Sequence, residues 1–144
     1  MKVAEVMTSQ VETVKPDQTI REAAAFMLSA DAGSIPVCDG EQLQGMITDR
    51  DIAVRAVAEG MGPDTPVTEV MTGDVLYVYE DDEVEEAAAQ MSRSQVRRMP
   101  VVSRGDKRLV GIVSIGDLSN AGEHDVAALA LDGITEEGGE RSQS

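Results

Sequence analysis

The sequence predicts an α/β (α+β) fold built from two copies of one β-α-β-β-α unit, small sheets flanked by helices. Three observations carry that expectation. Val3-Ala4-Glu5-Val6-Met7-Thr8 returns as Val67-Thr68-Glu69-Val70-Met71-Thr72, and Glu22-Ala23-Ala24-Ala25 with Met27 returns as Glu86-Ala87-Ala88-Ala89 with Met91, both 64 residues later. Ile35-Pro36-Val37 answers to Met99-Pro100-Val101, and Gly45-Met46-Ile47-Thr48-Asp49-Arg50-Asp51-Ile52 answers to Gly111-Ile112-Val113-Ser114-Ile115-Gly116-Asp117-Leu118 after a two-residue insertion. Finally, the hydrophobic period switches in the same order in both copies. Two copies are too few for a solenoid, so the expected result is two similar units facing each other across a pseudo-twofold.

Val11 and Val14 form a short β-prone piece at the start of the first copy. Thr19 and Glu22 make a capping box that opens a helix. Ile20, Ala23, Ala24, Met27 and Leu28 then lie on one helical face, whose alanines let a sheet approach closely, and Gly33 is the expected stop. Residues 35–38 and 43–48 read as strands paired antiparallel through the turn-forming Asp39-Gly40-Glu41-Gln42. Ile52, Ala53, Ala56 and Val57 give a second helix ending at Gly60. The second copy repeats the plan, with a strand at 75–79, a helix carrying Val84, Ala87, Ala88 and Met91, strands at 99–102 and 109–114, and a helix from Gly116.

Residues 1–60 thus form repeat one, 61–66 a linker, and 67–121 repeat two. The connector from Gly60 to Pro66 is rich in helix-stopping residues. Within 122–144, residues 126–131 suit a short helical piece, and 133–144 an acidic tail with almost nothing apolar to offset the entropy of ordering it.

At 144 residues the chain has about one domain's length and can bury roughly 68–70% of its unfolded surface. A net charge of −15, from 12 Lys and Arg against 27 Asp and Glu, argues against nucleic acid or an anionic membrane as partner. No apolar run reaches membrane length and the N-terminus lacks a signal-peptide pattern, so the expected address is the cytoplasm. Cys38 is the lone cysteine and His124 the lone histidine, which leaves no internal disulfide, no zinc set and no Cys/His pair. Neither a general acid/base pair nor a nucleophile with its base can be assembled, so no catalytic residue and no enzymatic activity is expected.

Thr48-x-x-Asp51 and Ser114-x-x-Asp117 each place a hydroxyl at a strand end and a carboxylate in the first turn of the next helix. Such a pair caps the helix by accepting from backbone N–H groups. The same geometry offers N–H groups and a hydroxyl to an anion, and a carboxylate to the vicinal hydroxyls of a ribose. Capping and binding are compatible.

The doubled V-x-E-V-M-T, h-P-V and G-h-h-[ST]-x-x-D-[IL] pattern resembles a pair of CBS domains, the cystathionine β-synthase motif, forming a Bateman module. The likeness spans residues 3 to about 120 and is similar to small bacterial stand-alone members of the hypoxic-response type. It implies two three-stranded sheets, two clefts between the repeats, and a homodimer. It implies adenine nucleotides (AMP, ADP, ATP) or S-adenosylmethionine as regulatory ligands, with no cofactor required. The alternative is a ligand-free dimerisation or scaffolding module acting on a separate target protein.

Carried over on the matching positions, the resemblance gives Asp51 and Asp117 to the ribose and Thr48 and Ser114 to the phosphate side. Met46 and Ile112 present backbone and apolar surface to the base. It sets Val96, Arg97 and Arg98 facing Asp51, and Ala32, Gly33 and Ser34 facing Asp117. On that reading the Asp51 cleft, with Arg50 in its own helix turn, is the tighter site for a phosphorylated ligand, whereas Glu12 adds a carboxylate near the other base pocket. Arg97 and Arg98 are either a solvated pair or a phosphate clamp, and Arg50 and Arg55 read the same way. The acidic run from Glu80 to Glu86 reads as a solvated helix start, Cys38 as a small buried hydrophobe, and Tyr77 and Tyr79 as neighbours on one side of a strand.

Overall fold

The computed structural model describes residues 1–120. The piece expected at 126–131, the tail from 133 and His124 lie outside the described residues. Two compact units emerge, one of residues 12–75 and one of 1–11 with 76–120. These units cut across the sequence repeats, because the Val-x-Glu-Val-Met-Thr segment of each copy packs with the body of the other copy.

In the 12–75 unit, α1 (Val3–Val6) has no part and the chain begins with Val14, which bridges Val37 in parallel through bonds of 3.0 and 2.9 Å. The expected first strand is therefore a single bridge. Helix α2 (Ile20–Ala30) opens on the predicted Thr19–Glu22 capping box, with both reciprocal bonds formed. It buries Ile20, Ala23 and Met27, whereas Leu28, placed on that face by its spacing, is 85% exposed. The helix ends at Asp31, which takes the left-handed conformation at φ 52°, two residues before the expected stop at Gly33. An Asp tolerates that conformation because its short polar side chain bonds locally.

Strands β1 (Ser34–Asp39) and β2 (Gln42–Thr48) pair antiparallel as expected, closed by Gly40-Glu41 with Gly40 at φ 63°. The segment Asp51–Val57 is a π-helix where α-helix was expected. After Gly60, at φ 80°, the chain returns: the N–H of Val67 donates to the Gln18 carbonyl at 2.8 Å, and a 3₁₀ turn covers Val67–Glu69. Val14, Ile20, Ala23, Met27, Ile35, Val37, Ile47, Ala56, Val67 and Val70 form this unit's core. Each large aliphatic among them contributes about 1.5–3 kcal/mol by leaving water.

In the other unit, β3 (Val78–Tyr79) runs parallel to β4 (Arg98–Val102), which pairs antiparallel with β5 (Leu109–Ser114). The strand expected over 75–79 is thus only two residues long. Helix α3 (Val84–Ser94) buries Val84, Ala87, Ala88 and Met91, as the periodicity requires, and ends on left-handed Gln95. Helix α4 (Ile115–Asn120) follows β5 directly. The N-terminal segment joins this core through Val3, with the Val3 and Ala4 N–H groups donating to the carbonyls of Asp82 and Glu80 at 2.9 and 3.0 Å. Part of the acidic run is paired: Glu83 meets Lys2 at 2.8 Å, and Arg104 meets Asp81 and Asp82 at 2.9 Å. Tyr77 and Tyr79 lie edge to face, 5.7 Å apart, with Arg104 4.1 Å above the Tyr79 ring.

Two glycines explain the close seating of each exchanged segment. A Cβ on Gly45 would sit 2.6 Å from the Thr72 carbonyl oxygen, and one on Gly111 2.8 Å from that of Thr8. Without those side chains, Thr72 exchanges two 2.9 Å backbone bonds with Met46, and Thr8 exchanges bonds of 2.8 and 2.9 Å with Ile112.

Candidate functional site

Each unit carries one helix start of the same design. In the 12–75 unit, the Thr48 N–H donates to Asp51 Oδ2 at 3.0 Å and the Asp51 N–H donates to Thr48 Oγ1 at 3.0 Å. Both side chains are buried, Asp51 being 5% exposed. Burial pushes the Asp51 carboxyl above its ordinary range, against the opposing pull of the Thr48 bonds, Arg55 and Arg50. Oδ2 is committed to the turn; Oδ1 has Arg55 Nε at 3.8 Å.

In the other unit, the Ser114 N–H donates to Asp117 Oδ2 at 2.9 Å and the Asp117 N–H to Ser114 Oγ at 3.1 Å. Here the Thr8 hydroxyl donates to Asp117 Oδ1 at 3.4 Å. The capping reading therefore holds at both starts, and one carboxylate oxygen of each Asp remains outside the capping ring.

The strand register places the neighbouring walls. Ser34 pairs directly with Thr48, and Arg98 directly with Ser114. The Gly33 carbonyl accepts from the Asp49 N–H at 2.9 Å, and the Arg97 carbonyl from Ile115 at 3.0 Å. Each wall is thus tied by register to the helix start of its own repeat, Ser34 beside Thr48 and Arg98 beside Ser114. Ala32 is tied by its N–H to the Met27 carbonyl at 3.0 Å, and Val96 is buried in the core at 2% exposure. Arg97 and Arg50 are exposed. Met46 and Ile112 serve as the backbone partners of Thr72 and Thr8.

Among the described residues, three buried side-chain atoms have no hydrogen-bond partner: Ser34 Oγ, Thr72 Oγ1 and Arg98 Nε. Buried polar groups left unpaired cost about 1–3 kcal/mol each, so such groups mark places where an external partner fits. Thr8 and Thr72 were not singled out in the sequence as site residues. Their signal was the Val-Met-Thr triplet recurring 64 residues apart.

The CBS-domain pattern matches residues 3–57 and 67–124. The chain belongs to the CBS-domain family. It is 43% identical over 134 residues to the CBS domain-containing protein YhcV of Bacillus subtilis, covering 92% of this chain and 94% of that protein. It is 37% identical over 117 residues to Hypoxic response protein 1 of Mycobacterium tuberculosis, covering 80% of each. An inosine-5'-monophosphate dehydrogenase of Methanocaldococcus jannaschii is 38% identical over 128 residues, but these are only 25% of that enzyme.

Among solved CBS structures, Hypoxic Response Protein I with two coordinated zinc ions superposes at TM-score 0.76 and 35% identity, covering 83% of this chain and 98% of that one. The CBS domain pair of protein MJ0100, in complex with 5-methylthioadenosine and S-adenosyl-L-methionine, superposes at TM-score 0.73 and 29% identity, covering 87% and 98%. The zinc of the first does not find a donor set among the described residues of this CBS pair, where no three His, Cys, Asp or Glu side chains cluster. Cys38 is buried, and burial pushes its thiol up to about 11. Among the described residues no helix is long and apolar enough to cross a membrane.

Proposed function

We propose that this CBS pair is a non-enzymatic regulatory module whose two helix starts, Thr48–Asp51 and Ser114–Asp117, bind the ribose of adenosine-type ligands such as AMP, ADP, ATP or S-adenosylmethionine. The observation that carries it is the set of buried, unpartnered atoms on residues in register with those starts: Ser34 Oγ, on the residue paired with Thr48, Thr72 Oγ1, on the residue bridged to Met46, and Arg98 Nε, on the residue paired with Ser114. A ribose offers vicinal hydroxyls that donate to a carboxylate and accept from hydroxyls, so it satisfies both partners at once. Arg98 suits a phosphate through its planar fork of donors, and Ser34, its counterpart, suits an uncharged group. The adenosine ligands of the MJ0100 domain pair support the same chemistry.

Binding to the folded state alone stabilises it, by about 2.7 kcal/mol at a ligand concentration 100 times Kd. Purified protein is therefore expected to melt at higher temperature with at least one of AMP, ADP, ATP and S-adenosylmethionine. Arg98→Ala is expected to weaken AMP more than adenosine, with the difference shrinking as salt rises. Melting curves unmoved by all four ligands at millimolar concentration would remove this reading.

The second reading, a self-associating scaffold that acts on a separate target protein, draws on exposed apolar side chains of the 12–75 unit: Leu28 at 85%, Val57 at 66% and Val54 at 47%. Large apolar groups in water favour being covered by another surface. A homodimer near twice 15.3 kDa is expected in light scattering. A monomer whose mass stays constant up to tens of micromolar would defeat it.

A further inference from the structure

Arg55 adds a side-chain link between two parts of the Asp51 site that are otherwise joined only by way of β2. One turn beyond Asp51, its Nε stands 3.8 Å from Asp51 Oδ1, and its Nη1 donates to the carbonyls of Met71 and Val70 at 3.4 and 3.5 Å. Those carbonyls follow the 3₁₀ turn Val67–Glu69 and immediately precede Thr72, whose buried hydroxyl lacks a partner. Thr72 is bonded in turn to Met46, two residues before Thr48, and Thr48 caps Asp51. The contacts close a ring from Asp51 through Arg55, Met71, Thr72, Met46 and Thr48 back to Asp51. In the other unit the Thr8 hydroxyl donates to Asp117 directly.

From this ring we infer that Arg55 is a positioning residue, holding the Thr72 hydroxyl and the free oxygen of Asp51 at one spacing so that they act on the ligand together. This rests on the ligand-binding reading above. A guanidinium is suited to the task because its fork reaches a carboxylate and two carbonyls at once, which a lysine ammonium cannot reproduce. The cations acting on Asp51 are Arg55 and Arg50, both on its own helical segment; Thr48 reaches it from β2. Removing Arg55 therefore removes part of what keeps the buried carboxylate ionised.

The test uses Arg55→Met, which keeps the aliphatic stem, and Arg55→Lys, which keeps the charge. Without ligand, carboxyl-carbon NMR of Arg55→Met is expected to show Asp51 titrating at higher pH. Amide exchange at Thr72 and Met46 is expected to quicken about tenfold, since the segment loses its tether. Arg55→Lys is expected to restore the titration of Asp51 but not the slow exchange. With adenosine as probe, Arg55→Met is expected to weaken binding about tenfold, and to add little once Thr72→Val is present, because coupled groups lose their effect together. If the Asp51 titration and Thr72 exchange of Arg55→Met match the parent, the inference fails. It fails equally if the losses of Arg55→Met and Thr72→Val simply add. If the parent binds no adenosine yet exchange and titration shift as described, the positioning role stands and the ligand reading falls.

Discussion

Gly45→Ala is expected to destabilise the protein by about 2–4 kcal/mol, the sum of overpacking and of weakened hydrogen bonds at the Thr72 segment. The added Cβ would lie 2.6 Å from the Thr72 carbonyl oxygen and 2.9 Å from Met71 Sδ. A methionine sulfur can swing aside; a carbonyl held by two 2.9 Å bonds to Met46 cannot. The segment must then lift off β2, taking the buried Val67 and Val70 with it. For a chain of this size the cost corresponds to roughly 5–15 °C in Tm. Gly62→Ala, where a Cβ meets nothing within 4 Å, serves as the control and is expected to stay within about 0.5 kcal/mol of the parent. Equal melting temperatures for the two variants would show that the segment is not seated as described.

Asp51→Asn is expected to separate stability from binding. Burial raises the Asp51 carboxyl in the folded state above its ordinary value. The folded protein then binds this proton more tightly than the unfolded chain does. The associated stability is fully present below the carboxyl's ordinary value in the unfolded chain, and it is lost as pH rises through the folded midpoint. At neutral pH the ionised Asp51 is a burden on the unliganded fold, and the neutral amide keeps an oxygen for the Thr48 N–H. Unliganded Asp51→Asn is thus expected to melt at or above the parent at pH 7, while its affinity for the ligand of this site falls at least about tenfold, as charge-assisted bonds worth roughly 1.5–3 kcal/mol each are lost. Acid is expected to do the same to the parent, weakening ligand as Asp51 protonates. A variant that melts lower and binds equally well would reverse the assignment and leave Asp51 a structural cap.

The features legible in the sequence were those whose causes lie within a few residues. The Thr19–Glu22 box, the Val84, Ala87, Ala88 and Met91 stripe and the β1–β2 hairpin all appeared where their local chemistry put them. The paired Thr48–Asp51 and Ser114–Asp117 starts were equally local. Leu28 fits a helical stripe but stands in water, because periodicity states which side a residue lies on and not how wide the covering surface is. Asp31 ended α2 ahead of Gly33, since a left-handed residue is chosen by where the chain must turn, and Asp tolerates it too. The register that sets Arg98 beside Ser114 and Ser34 beside Thr48 comes from antiparallel pairing, which no local motif states. Thr72 and Thr8 escaped notice because their importance comes from segments that seat on another copy's body.

That exchanged seating has a consequence for how the chain emerges during synthesis. Residues 12–75 hold every segment of their unit and can close as soon as they have left the ribosome. Residues 1–11 emerge first but belong with residues 76 onward, and Thr8 meets Asp117 across 109 positions. The leading segment must wait, unpaired, while a complete unit condenses behind it, and contacts between such distant positions form late because loop closure precedes their reward. A released fragment ending near residue 80 would therefore present one finished body and a loose N-terminal strap, with Val3 still in water, and the strap could lie down only once Gly111, Ile112 and Asp117 had all arrived.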